Sequence, residues 1–217
     1  MPPANEKYPP RDTAAYRRIL AAAETCFGTL GFQKTTVVEI AATAQVSKPL
    51  VYRYFESKEH LYEVVVSRLV EDWNEELVAE LSADVGVAES LRRMHRVSLD
   101  HARRRPLLRG LLAKESRLLL AAYSDIVERT NATLKSQIQA CLAAGIEAGE
   151  VRLDVSADAM ADAVTEMHLA YVERVVSGIE TRDAQRVATD AFECLLFGIC
   201  TSPVSPRSAA QRRKRSS

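Results

Sequence analysis

Three helix starts follow one another so closely that this stretch can fold only as short helices joined by tight turns. In the first, the Thr36 hydroxyl takes a free amide of the opening turn while Glu39, three residues on, reaches back to the cap residue. Ser47 is the next good N-cap, and Pro49 fits the first turn behind it, where a missing amide costs nothing. Ser57 caps a third helix that begins with Lys58 and Glu59 and carries Leu61, Val64, Val65, Leu69 and Trp73 at helical spacing. Between the first two caps, Val37, Ile40, Ala41 and Ala44 put small and branched groups on one side, suited to close packing. The spacing predicts a helix from Thr36, a second from about Lys48 to Phe55 and a third beyond Ser57.

The second helix turns Leu50, Val51 and Tyr54 or Phe55 inward and leaves Lys48, Pro49, Tyr52 and Arg53 outward. A short helix with that face suits the major groove of DNA, which is wide enough to admit it. Lys48 and Lys58 both stand at helix starts, where a cation opposes the dipole by roughly a few tenths of a kcal/mol. A DNA phosphate would compensate both.

From Arg17 to Leu61 the chain resembles the DNA-binding domain of the TetR family of transcriptional regulators. The likeness rests on Ile19, Leu20, Ala22, Ala23 and Phe27, the Gly31-Phe32 turn, Thr36, Ile40-Ala41, Ala44, Val46-Ser47, Tyr52, Tyr54-Phe55, Ser57-Lys58-Glu59 and Leu61. Two positions depart from the common pattern: Gln45 and Pro49 stand where glycine is frequent. A positive φ at Gln45 would cost a non-glycine residue roughly 1 kcal/mol, whereas Pro49 presents a rigid ring able to touch a thymine methyl. The residues assigned to DNA are Arg17, Thr36, Val37, Ser47, Lys48, Pro49, Leu50, Tyr52, Arg53, Tyr54 and Lys58. The resemblance implies a homodimer on an inverted repeat, with a small inducer held in the C-terminal domain.

Charge neither adds to nor opposes that expectation, since 29 basic residues balance 29 acidic ones over the chain. Long periodic apolar stretches without strand-like alternation predict an all-α protein. An N-terminal three-helix helix-turn-helix domain (12–72, the motif about 36–55) is followed by a larger helical ligand-binding and dimerisation domain (83–201). The arm 1–11 and the basic tail 202–217 are expected to be disordered. No run is long enough to span a membrane, and the start lacks the apolar core of a secretion signal, so the expectation is a cytoplasmic protein. Cys26, Cys141, Cys194 and Cys200 make no CxxC pair, and no two histidines stand at metal-binding spacing, so no metal and no cofactor is expected.

In the larger domain the pattern predicts helices from Val87 to Arg103, Pro106 to Ala113 and Ser116 to Ala148, the last broken near Tyr123 or Ser124 and ended by Gly145 and Gly149. Two more run from Ser156 or Ala157 to Gly178 and from Arg182 or Asp183 to Ile199. Small residues recur on these two, and Ala159, Ala163, Ala170, Val187, Ala191, Leu195 and Gly198 are expected to meet an identical pair in a four-helix dimer interface. An apolar effector pocket is assigned to Met94, Leu112, Leu119, Tyr123, Met167 and Tyr171, with His95, Arg117, Glu166 and His168 as polar anchors. The alternative is a helix-turn-helix regulator that answers to a protein partner instead of a small molecule. An enzyme is disfavoured, because no nucleophile elbow, phosphate loop or metal-binding helix is present in the sequence.

Overall fold

In the computed structural model, residues 13–81, 83–108, 121–176 and 182–200 are described. The chain forms α1 (Ala14–Lys34), α2 (Val37–Thr43), α3 (Lys48–Tyr54), α4 (Lys58–Ala79), a 3-10 turn (Ala83–Val85), α5 (Val87–Arg104), α6 (Ala121–Glu147), α7 (Ala157–Val176) and α8 (Arg182–Ile199). Among the described residues there is no strand, only an isolated antiparallel bridge between Val151 and Cys200. The chain is all-α, with a helix-turn-helix at its amino end and a larger helical domain behind it.

Local side chains start the helices as the residue types require. Thr36 Oγ1 accepts from the Glu39 amide at 3.2 Å, and the Thr36 amide donates to Glu39 Oε2 at 2.8 Å, closing the capping box. Those bonds, the backbone one first, hold the Glu39 carboxyl below its usual range. Ser47 accepts from the Leu50 amide, Ser57 from His60 and Ser156 from Ala159. Thr13, just before α1, caps it by accepting from the Tyr16 amide.

One compact unit takes in α1 to α3, α4 up to Asp72, and the described residues between His101 and Glu128. Its core is aromatic: Tyr16 stacks on Phe55 at 5.4 Å and Phe27 meets the edge of Tyr62 at 5.0 Å. Ile19, Ile40, Phe55 and Leu61 are buried with them, each worth about 1.5–3 kcal/mol of apolar burial. Residues 106–108 are helical and belong to this unit, although the sequence pattern assigns them to the larger domain. Arg105 Nη1 binds Glu24 Oε1 of α1 at 2.7 Å. Arg103 and Arg104 are exposed, as a solvated helix end would be.

The second unit holds α4 from Trp73, α5 up to Asp100, α6 from Arg129, α7 and α8. Leu91, Met94, Ile138, Leu142, Val164, Phe192 and Leu196 make its core. Polar ties set the helices around it. Glu150 Oε2 caps α5 by accepting the Val87 amide at 2.9 Å, Arg92 grips Glu193 of α8 through two bonds, and Lys135 reaches Asp158 and Asp162 of α7. Two expectations for α6 are corrected. The helix runs unbroken through Tyr123 and Ser124, since neither residue costs a helix more than roughly 0.7 kcal/mol. Gly145 lies inside the helix instead of marking its end, and its buried position faces Val87 and Val151.

Candidate nucleic-acid interface

The turn between α2 and α3 fixes where the reading helix points. After Ala44 the chain enters the left-handed region at Gln45, with φ of 54°. Gln45 N–H bonds Ala42 O at 3.1 Å and Val46 N–H bonds Ala41 O at 2.9 Å, the double closure of a Schellman turn. Ser47 then opens α3 with Pro49 in its first turn. Because α3 has only seven residues, its orientation depends on packing more than on its own propensity. Val51, Tyr54 and Phe55 supply that packing, with exposures of 1%, 5% and 1%.

The opposite face is open. Ser47, Lys48, Pro49, Tyr52 and Arg53 are exposed and Leu50 is half-buried. Lys48 Nζ lies 5.8 Å from the centre of the Tyr52 ring, so a cation and an aromatic group share one end of the face. Thr36 and Arg17 are exposed as well. Two expected contact residues are corrected. Val37 is buried, because it belongs to the same inward stripe as Ile40 and Ala41, and it is Val38 that stands 57% exposed. Tyr54 is buried too, and its hydroxyl sits 2.6 Å from Thr13 Oγ1, which ties α3 to the start of α1. The 3.6-residue period that placed Ile40 and Ala41 inside carried the signal for Val38 already.

Lys58 takes a more particular position than its place at a helix start suggests. Its ammonium donates to Phe32 O at 2.9 Å and Thr35 O at 3.1 Å, and it lies 4.3 Å from the Phe32 ring centre. Carbonyls at the end of α1 thus offset what the dipole of α4 opposes. Of its three N–H groups two are engaged.

Of the assigned effector residues, Met94, His95 and His168 are buried, at 0%, 3% and 0% exposure, and Met167 and Tyr171 are half-buried. His95 and His168 are brought together, Nδ1 to Nδ1 at 3.0 Å. Glu166 is corrected: it faces solvent, one side of α7 away from His168. Leu112, Arg117 and Leu119, and the side chain of Tyr123, lie outside what is described. On the assigned dimer face, Ala159, Ala163, Ala170, Val187 and Gly198 are exposed and Ala191 and Leu195 half-buried, beside an exposed Phe197. No described group of three histidine, cysteine or carboxylate side chains is placed to hold a metal, and no described helix is long and apolar enough to cross a membrane.

Residues 19–65 match the model of the family described as bacterial regulatory proteins, tetR family. The chain is 30% identical over 142 residues to the HTH-type transcriptional regulator RutR of Escherichia coli O157:H7, a match covering 64% of this chain and 65% of RutR, just under two thirds of that relative's length. Among solved structures it is similar to a TetR-family regulator of Pectobacterium atrosepticum, with TM-score 0.69 and 21% identity over 87% of this chain and 95% of that one. It is also similar to SmeT, the repressor of the Stenotrophomonas maltophilia multidrug efflux pump SmeDEF, with TM-score 0.64 and 18% identity over 90% and 94%. At those identities the structures speak for the fold.

Proposed function

The chain belongs to the tetR family of bacterial regulatory proteins, and from that premise we propose that it represses transcription as a two-fold dimer on an inverted-repeat operator, which a small, mostly apolar effector makes it release. One observation carries the reading: a seven-residue helix, capped by Ser47 and anchored by Val51, Tyr54 and Phe55, leaves Lys48, Pro49, Tyr52 and Arg53 open together. Lys48 and Pro49, at the leading end, are the base readers; Tyr52, Arg53 and the remaining N–H of Lys58 are suited to phosphates.

A single short helix covers too little DNA for tight, selective binding, so two are needed, roughly 34–36 Å apart for successive major grooves. The exposed alanines of α7 and the apolar face of α8 supply a surface on which a second copy can pack closely. Release then requires the effector to prefer the DNA-incompetent state, and a preference of about 2–3 kcal/mol weakens operator binding on the order of a hundredfold. The buried Met94, with the half-buried Met167 and Tyr171, suits an apolar effector body.

Selection of bound fragments from random DNA by the purified protein tests this. A palindromic consensus is expected for the wild type, and substitution of Lys48 or Pro49 is expected to change it. Tyr52→Ala should weaken binding evenly across sequences, and Lys58→Ala should reduce the salt slope by about one. Recovery of no palindrome, or a consensus indifferent to positions 48 and 49, would sink the reading.

A further inference from the structure

Val38 is the most exposed large apolar side chain described in its unit, at 57% against 45% for Tyr52 and 42% for Leu30. It lies in the first turn of α2, where its neighbours Val37, Ile40 and Ala41 are buried. A lone valine in water is ordinary on a protein surface. What sets this one apart is where it stands.

Two sets of bonds fix that place. Lys58 Nζ, the ammonium suited to a phosphate, donates to Thr35 O at 3.1 Å, next to the residue that caps α2. At the far end of α2, the bonds from Gln45 to Ala42 and from Val46 to Ala41 lock the helix to the turn that leads into α3. In a helix-turn-helix the second helix enters the major groove while the first crosses the backbone. A strand whose phosphate sits at Lys58 therefore runs past the start of α2, and Val38 meets the groove edge there. Hydrogen bonding by the side chains of this turn is already spent: the Thr36 amide and hydroxyl both donate to Glu39 Oε2, at 2.8 Å each, and Thr36 Oγ1 accepts the Glu39 amide. What the turn presents to a base is the pair of valine methyls. The apolar group that base pairs display in the major groove is the C5 methyl of thymine; a base N–H or carbonyl set against valine would lose its hydration with no bond in return.

Resting on the DNA-binding reading argued above, we propose that Val38 is a third reader of sequence beside Lys48 and Pro49, and that it selects a thymine at one position of each half-site by contact with the C5 methyl. Specificity is then shared between α2 and α3, with the apolar part of it carried by the first helix.

The palindromic duplex that the full chain selects from random DNA is remade with each thymine of one half-site replaced singly by deoxyuridine, which removes the methyl and nothing else. At one thymine the wild type is expected to lose about fourfold in affinity, the worth of one buried methyl, while Val38→Ala binds that duplex and the unmodified one alike. Pro49→Ala should still register the loss, which separates the two readers. A second variant, Val38→Gln, goes through the random-DNA selection itself, and its consensus is expected to change from thymine to adenine at that position alone, since glutamine reads adenine. A selected half-site without thymine, wild-type affinity indifferent to every methyl, methyl effects that all survive in Val38→Ala, or a Val38→Gln consensus identical to that of the wild type would each overturn the proposal. Recovery of no palindrome by the wild type is a different outcome and sinks the repressor reading instead.

Discussion

Gln45 occupies, at φ of 54°, a position that the end of α6 gives to a glycine. There Gly149, at φ of 74°, closes the same pair of bonds, Glu150 N–H to Gly145 O and Gly149 N–H to Ile146 O. A side chain in the left-handed region carries roughly 1 kcal/mol of strain, and the Gln45 side chain is exposed. Gln45→Gly should therefore raise the unfolding free energy by about 0.5–1 kcal/mol, less whatever flexibility it adds to the unfolded chain. A lowered urea midpoint would show that the glutamine contributes a contact of its own. The histidine pair makes a second residue-level prediction. With folded values of about 4 and about 3 against an ordinary 6.5, the unfolded chain takes up protons first as pH drops below 6.5. Stability is then fully present above that pH and is lost as pH falls toward the folded values, on the order of 3 kcal/mol for His95 alone. Between about pH 7 and pH 5 few carboxylates titrate, so a midpoint that stayed level across that window would contradict the buried, neutral pair.

At the scale of elements, a small-residue position decides how close two helices come. An ideal Cβ on Gly145 would stand 2.3 Å from Val87 Cγ2 and 2.8 Å from Val151 Cγ2, and valine, stiff at χ1, cannot swing aside cheaply. Gly145→Ala should destabilise by about 1–3 kcal/mol despite its better helix propensity, read as a lower Tm; an unchanged Tm would mean that α5 and α6 slide apart without cost. The sequence pattern reads Gly145 as a helix end, because glycine in a long periodic stretch signals termination and close approach alike. Starts were easier to read than ends: Thr36, Ser47, Ser57 and Ser156 each cap the helix they announce, since capping is a bond between near neighbours. Facing was legible where the stripe was clear, as for Val51 and Lys48, and left open between Tyr54 and Phe55; both are buried, and the Tyr54 hydroxyl is fixed by Thr13, 41 positions earlier in the chain. The same holds for Lys58: local sequence shows the cation at a helix start, but not the Phe32 and Thr35 carbonyls that receive it.

For the whole molecule, the question is what the face of α7 and α8 is for. Periodicity alone cannot tell core residues from partner-facing ones here, whereas burial divides the two helices residue by residue. Val164, Val172, Ala188, Phe192 and Leu196 fill the core of their unit, while Ala159, Ala163, Ala170, Val187, Phe197 and Gly198 remain in solvent. Exposed alanines and a glycine contribute little as a water-facing surface, yet they let helix backbones of two copies approach closely, with Val187 and Phe197 supplying apolar area. Ala163→Glu places a charge where two such faces would meet, and each glutamate would lose hydration opposite its symmetry mate. The variant should keep its helix content and Tm within about 1 kcal/mol of wild-type stability, because the site is exposed in the single chain. It should nonetheless elute as a monomer and lose most of its operator affinity, since one reading helix then binds alone. Light scattering together with DNA titration separates the outcomes. A monomer that binds as tightly as before would remove the need for a second copy, and a dimer that persists would move the interface elsewhere on the chain.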